Sequence, residues 1–138
     1  MQWIGRNLWE IAVAPGWSAK QDDECLTLVK SDEGALQVSS ATKKCGLISQ
    51  EEIRDFYEPR VVERGSTLQE YSTGAFLGFT ASSLRNGCHW QEYWLAQGSL
   101  LLFVTYNGTP AAWRAEGNAV KEMLTSLRIQ APENELPA

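Results

Sequence analysis

Histidine is nearly absent: His89 is the only one in 138 residues. No site that needs two imidazoles can be built within one chain. Cysteine is scarce and odd in number. Cys25, Cys45 and Cys88 are widely spaced and form no Cys-x-x-Cys pair, which excludes the usual zinc and redox spacings. Free, mostly buried thiols in a reducing cytoplasm are the expectation. Long apolar runs are missing too. The longest, around Leu100 to Val104, falls far short of the roughly 20 residues that span a bilayer. The opening Met1 to Glu10, MQWIGRNLWE, has no apolar core of a signal peptide, so a cytoplasmic location is expected. Gly-rich phosphate loops, Gly-x-Ser-x-Gly elbows and His-Glu-x-x-His helices do not occur, and no cofactor or metal is expected.

Positive charge is also in deficit. Twelve Lys and Arg face 17 Asp and Glu, for a net charge of −5. A uniformly basic nucleic-acid grip is thereby disfavoured, as is an anionic membrane surface. A protein partner that is basic where it docks is favoured. The composition, 43% apolar and 21% charged, is that of a globular protein. One domain over 1–130 is expected, followed by a flexible tail, APENELPA, over 131–138.

Turn chemistry divides the chain. A first strand, Leu8 to Ala14, stops at Pro15-Gly16. Cys25 to Lys30 and Ala35 to Thr42 form a hairpin about Asp32-Glu33-Gly34. Ser49 and Glu52 then make a capping box, flanked by Ile48 and Ile53 as a hydrophobic staple. Ile53, Phe56 and Tyr57 share a face of the helix that follows, which Pro59 should end or kink and Gly65 should close. Leu68 to Ser83 is a long strand candidate, bent or bulged at Gly74 and Gly78. Asn86-Gly87 signals a tight hairpin into Cys88 to Gln97, and Gly98-Ser99 turns into Leu100 to Tyr106. The last helix starts near Pro110 and runs to about Leu127. Trp113, Val120, Leu124 and Leu127 recur on it at helical spacing. Gly117 on the same stripe would let that helix approach the sheet.

The expected order is β-β-β-α-β-β-β-α. The expected fold class is α/β, or α+β: a mainly antiparallel twisted sheet with two principal helices. The Trp-containing first strand running into Pro15-Gly16-Trp17, the Ser49-Gln50-Glu51-Glu52 helix start and the glycine-bent strand ending at Phe79 come in order. The Trp90-Gln91-Glu92-Tyr93-Trp94 hairpin follows, and the closing helix ends in Met123-Leu124-Thr125-Ser126-Leu127. Over Leu8 to Arg128 this resembles small bacterial proteins of the PsbP/DcrB-like α/β sandwich fold. The resemblance implies binding without catalysis. Members include a photosystem subunit, a transport factor that binds a small GTPase and chaperones of type VI secretion effectors; related proteins look like immunity factors. It carries over no functional residue.

Four groups could carry chemistry or recognition. Cys88 and His89 are neighbours, but adjacent strand residues point to opposite faces, so a nucleophile–base pair is not expected. Glu92, between Trp90 and Trp94 on one strand face, is either a desolvated acid of a small hydrolase or a structural carboxylate bonded to an arginine. Asp22, Asp23, Glu24, Asp32 and Glu33 lie at strand ends that a hairpin could bring together. They are either a solvated rim or a docking patch. His89, Gln91 and Tyr93 form a second candidate surface, provided that no helix covers them. The expectation is a non-enzymatic protein-binding module, most concretely an immunity protein that neutralises a bacterial toxin. The alternative is an adaptor or chaperone for a secreted effector.

Overall fold

The computed structural model describes residues 2–6 and 8–130. The tail expected over 131–138 lies outside the described residues. Among the described residues, ten strands and two helices follow one another: β1 Gln2–Arg6, β2 Trp9–Val13, β3 Ser18–Gln21, β4 Leu26–Val29, β5 Gly34–Thr42, α1 Gln50–Arg64, β6 Thr67–Thr73, β7 Phe76–Arg85, β8 Cys88–Gln97, β9 Leu100–Gly108, α2 Pro110–Ser126 and β10 Arg128–Ile129. Seven strands form one antiparallel sheet in the order β3-β4-β5-β9-β8-β7-β6. A small sheet, β1-β2-β10, is also antiparallel. The α/β class, the mainly antiparallel sheet and the two helices agree with the sequence.

Strand alternation builds two cores, one on each face of the large sheet. The inner face carries Leu36, Val38, Tyr93, Leu95, Leu102, Val104 and Tyr106. They pack with Trp9 and Ile11 of the small sheet and with Val120, Met123 and Leu124 of α2. The outer face carries Trp94, Ala96 and Leu101 under Ile53, Tyr57 and Val61 of α1. Trp9 and Trp17 belong to the first core and Trp94 to the second. Trp9 and Trp17 are buried, while Trp3 is partly exposed with the Arg128 guanidinium 3.7 Å over its ring.

Four expectations need correction. First, the three-plus-three strand order omits β1, β3, β10 and the division of Leu68 to Ser83. That segment is two strands, because Gly74 takes a left-handed conformation (φ 57°) and reverses the chain between Thr73 and Phe76. Second, the capping box at Ser49 and Glu52 is formed as expected, but Pro59 does not end α1, which runs to the αL cap at Gly65. Pro59 and Asp55 are both exposed, so the carbonyl that Pro59 leaves without its helical donor faces water. Third, the space at Gly117 is filled by the Trp113 ring of the same helix, 3.5 Å from where a Cβ would stand. Fourth, the acidic turns are not brought together, as described below.

The Asn86-Gly87 turn has positive φ at both positions (51° and 77°), as a type I′ hairpin requires. Gly78 permits close approach: a Cβ there would lie 1.7 Å from the Trp94 carbonyl oxygen. The strands from Thr67 to Gly108 thus form a continuous four-stranded meander.

Candidate functional site

Asp22, Asp23 and Glu24 sit in the exposed β3–β4 turn, and Asp32 and Glu33 in the exposed β4–β5 turn. The two turns cap opposite ends of β4 and lie roughly 20 Å apart at about 3.4 Å per strand residue. A single acidic rim does not exist. Asp22 is itself occupied: its Oδ1 accepts from the Cys25 and then the Glu24 backbone N–H groups, which holds its carboxyl below the usual range. Arg6 donates to the Asp22 and Asp23 carbonyls at 2.7 Å and offsets part of the local charge. The Glu33 carbonyl accepts from Thr109 N, the residue that caps α2, so the second turn is locked to that helix.

His89, Gln91 and Tyr93 share the inner face, and α2 covers it. The His89 ring stacks on Trp113 at 4.6 Å, its Nε2 is 3.0 Å from Gln91 Oε1, and Gln91 donates to Thr80 Oγ1. Tyr93 is buried, and desolvation drives its phenol far above the ordinary range. This surface is therefore withdrawn. Cys88 points to the opposite face from His89; all three cysteines are free, but they are not mostly buried as expected, Cys45 being exposed and Cys25 and Cys88 half-buried.

Glu92 is a structural carboxylate. Only 1% of it is exposed, and α1 supplies two guanidinium groups from above. Arg60 donates Nε and Nη2 to Oε2 at 2.8 and 2.7 Å, and Arg64 Nη1 lies 3.2 Å from Oε1. Arg60 also stands over Phe103 and Arg64 over Trp90, at 5.0 and 4.9 Å from the ring centres. Arg60 and Arg64 sit one turn apart on the helix face that meets the sheet, which is why one carboxylate can take both.

A well-formed opening lies elsewhere. A groove of about 620 Å³ runs on the outer face between the start of α1 and the β6–β7–β8 strands. Leu77, Phe79 and Ala96 line it from the sheet, Ile48 and Ile53 from the helix side, and Glu70 and Ser72 from β6. Its helix-side wall is rigidly placed. Lys43 N and Ile48 N donate to the Ser99 and Gly98 carbonyls, and Lys43 Nζ bonds both the Leu47 carbonyl and Glu52. The Lys43 bond and then the Ser49 N–H hold the Glu52 carboxyl below its ordinary range. Leu47 and Leu77 are nevertheless 75% and 65% exposed, and Phe56 borders a smaller hollow of about 200 Å³ on the other flank of α1. Sequence reasoning missed this groove. Its signal was the second apolar residue, Leu47, ahead of a cap where Ile48 alone completes the staple.

No family model and no curated protein matches the chain. Solved structures do. CyanoP, the cyanobacterial PsbP of Synechocystis sp. PCC 6803, is 9% identical with a TM-score of 0.62, over 94% of this chain and 92% of that one. The fold is the PsbP-like α/β sandwich. LpqN, involved in cell envelope biogenesis of Mycobacterium tuberculosis, is similar at 10% identity and a TM-score of 0.62, over 89% of this chain and 83% of that one. A protein from Bacteroides thetaiotaomicron aligns with a TM-score of 0.68 at 11% identity, over 93% of this chain. The present chain spans only 47% of that protein's length. Identities this low make these likenesses of fold.

Proposed function

We propose that this PsbP-like sandwich is a non-enzymatic protein-binding module that holds an apolar segment of a partner protein beside α1. The carrying observation is the groove, a formed concavity with Leu47 and Leu77 largely in water on its walls; Val62 and Leu84 are as exposed but line no such opening. Exposed leucines at a formed concavity are costly in a protein without a partner for them. An adaptor or chaperone for a secreted effector, working in the cytoplasm, is the biological form that fits such a surface. Catalysis draws no support from the candidate acids: Glu92 is held by Arg60 and Arg64, and His89 is stacked under α2.

A narrower second reading is an immunity protein that binds a basic toxin. It is favoured by the net charge of −5 and the exposed Asp22-Asp23-Glu24 turn. A photocrosslinking amino acid placed at position 77 or at position 23 in the source cell separates the two readings. The groove reading expects a partner adduct from position 77 that Leu47→Glu abolishes, and none from position 23. Adducts from position 23 alone would reverse the order of the two.

A further inference from the structure

The large sheet has two free edges, and they are built differently. At β3 the edge is four residues long and carries Lys20. Arg6 donates to Gln21 and Asp22 at its end. Short length and positive charge are the usual protections of an edge strand. At β6 the edge is seven residues, Thr67–Thr73, with neither proline nor lysine and with Glu70 as its one charge. It pairs with β7 on one side. Among the described residues, no other backbone or side-chain hydrogen bond reaches the backbone of Thr67–Thr73. Half of its N–H and C=O groups therefore point outward with only water to bond, as in every unprotected edge.

That edge is also the β6 wall of the groove. Leu68, Glu70 and Ser72 stand on the outer face, opposite Ala81, Phe79 and Leu77 of β7. Among the described residues, Glu70 is the only charged one lining the groove. A strand added beyond β6, about 4.8 Å away, would set alternate side chains on this same face. Its residue opposite Glu70 would meet a carboxylate. The residues two positions to either side would meet Leu68 and, beside Leu77, Ser72.

A second copy of this chain is a poor occupant. Antiparallel self-pairing over the full length of β6 places Glu70 against Glu70, and each copy carries a net charge of −5. Like charges directly opposite destabilise a strand pair. Charge complementarity selects instead a partner segment with one basic residue at that position. We propose that Thr67–Thr73 is a strand-addition site for an extended segment of another protein, patterned apolar-x-basic-x-apolar, with the basic residue opposite Glu70. This rests on the protein-binding reading above and deepens it. Main-chain bonds to β6 would supply affinity, and the Glu70 position would supply selectivity.

The test uses the full chain and two blocked heptapeptides, Thr-Leu-Thr-Lys-Thr-Leu-Thr and the same peptide with glutamate at its centre. The lysine peptide should slow amide exchange within Thr67–Thr73 and shift those resonances. The glutamate peptide should bind at least about fivefold more weakly. Glu70→Lys, an exposed change, should reverse that preference. Binding without slowed exchange in Thr67–Thr73 overturns strand addition, and so does a preference that Glu70→Lys leaves unchanged. Absence of any shift with the lysine peptide also overturns it. The groove reading falls separately, if position 77 gives no partner adduct.

Discussion

Glu92 is buried with two arginines over it, and its worth lies in what its loss would leave behind. The Arg64 side chain is 13% exposed, so without the carboxylate its charge stays in a largely apolar layer against Trp90. Removing one partner of a buried ion pair costs about 3 kcal/mol or more, because the remaining charge is uncompensated. Glu92→Gln should lower the unfolding free energy by about that amount in urea titration, with little change in groove binding. Three tyrosines carry a second consequence. Desolvation raises Tyr71, Tyr93 and Tyr106, and Tyr106 is raised further by the hydroxyl bond it donates to Glu116 at 2.8 Å. A raised phenol pKa means the folded state keeps protons that the unfolded chain releases near pH 10. Their contribution is complete below pH 10 and is lost as pH rises above it. Tyr93 and Tyr106, both buried, each contribute about 1.4 kcal/mol per pH unit to that decline, and the half-exposed Tyr71 contributes less. Absorbance from Tyr93 and Tyr106 should therefore rise together with unfolding; early ionisation of these two in the folded protein would contradict their burial.

Elements were legible where residue chemistry decides locally. The Ser49–Glu52 capping box and the Asn86-Gly87 and Gly98-Ser99 turns each act through near neighbours, and each holds in the fold. The strands that escaped notice have no such signal. All four residues of β3 are exposed, and β10 is two residues long, so only pairing defines them. Of the two effects expected of Pro59, a stop or a kink, the stop does not occur, because a proline's local cost is not decisive. Within α1, Ile53, Tyr57 and Val61 pack on the sheet on both sides of it, and Arg60 and Arg64 bind Glu92 beyond it. Tertiary contacts outweigh one missing hydrogen bond, although the helix still bears the penalty. Pro59→Ala at this exposed position should then raise stability by about 1–2 kcal/mol, after allowing for the freer unfolded chain. Thermal unfolding followed by circular dichroism checks the sign. A lower midpoint would mean that the proline shapes α1 in a way the packing requires.

At the scale of the whole molecule, recognition depends on which surfaces the topology leaves open, and sequence order conceals this. The groove joins the 43–49 loop, α1 and three strands, so its walls come from segments that have no common pattern. The inner face of β8 looked available because its residues are polar, yet α2 returns from the far end of the chain to stack Trp113 on His89. Acidic residues that seem close in sequence are split by the length of β4. This division weakens an electrostatic mechanism, since screening at physiological salt acts over about 8 Å and two turns roughly 20 Å apart cannot add their fields strongly. Charge at either turn would act on association rate more than on the lifetime of a complex. The double reversal Asp23→Lys and Glu24→Lys should therefore leave folding intact, because both side chains are exposed and neither holds the turn as Asp22 does. With a groove-bound partner identified by crosslinking, stopped-flow association at two salt concentrations should change less than threefold, while Leu77→Glu should raise the dissociation rate by roughly tenfold or more through lost apolar burial. A large, salt-dependent fall in association rate for the reversal, with Leu77→Glu silent, would transfer recognition from the groove to the Asp22-Asp23-Glu24 turn.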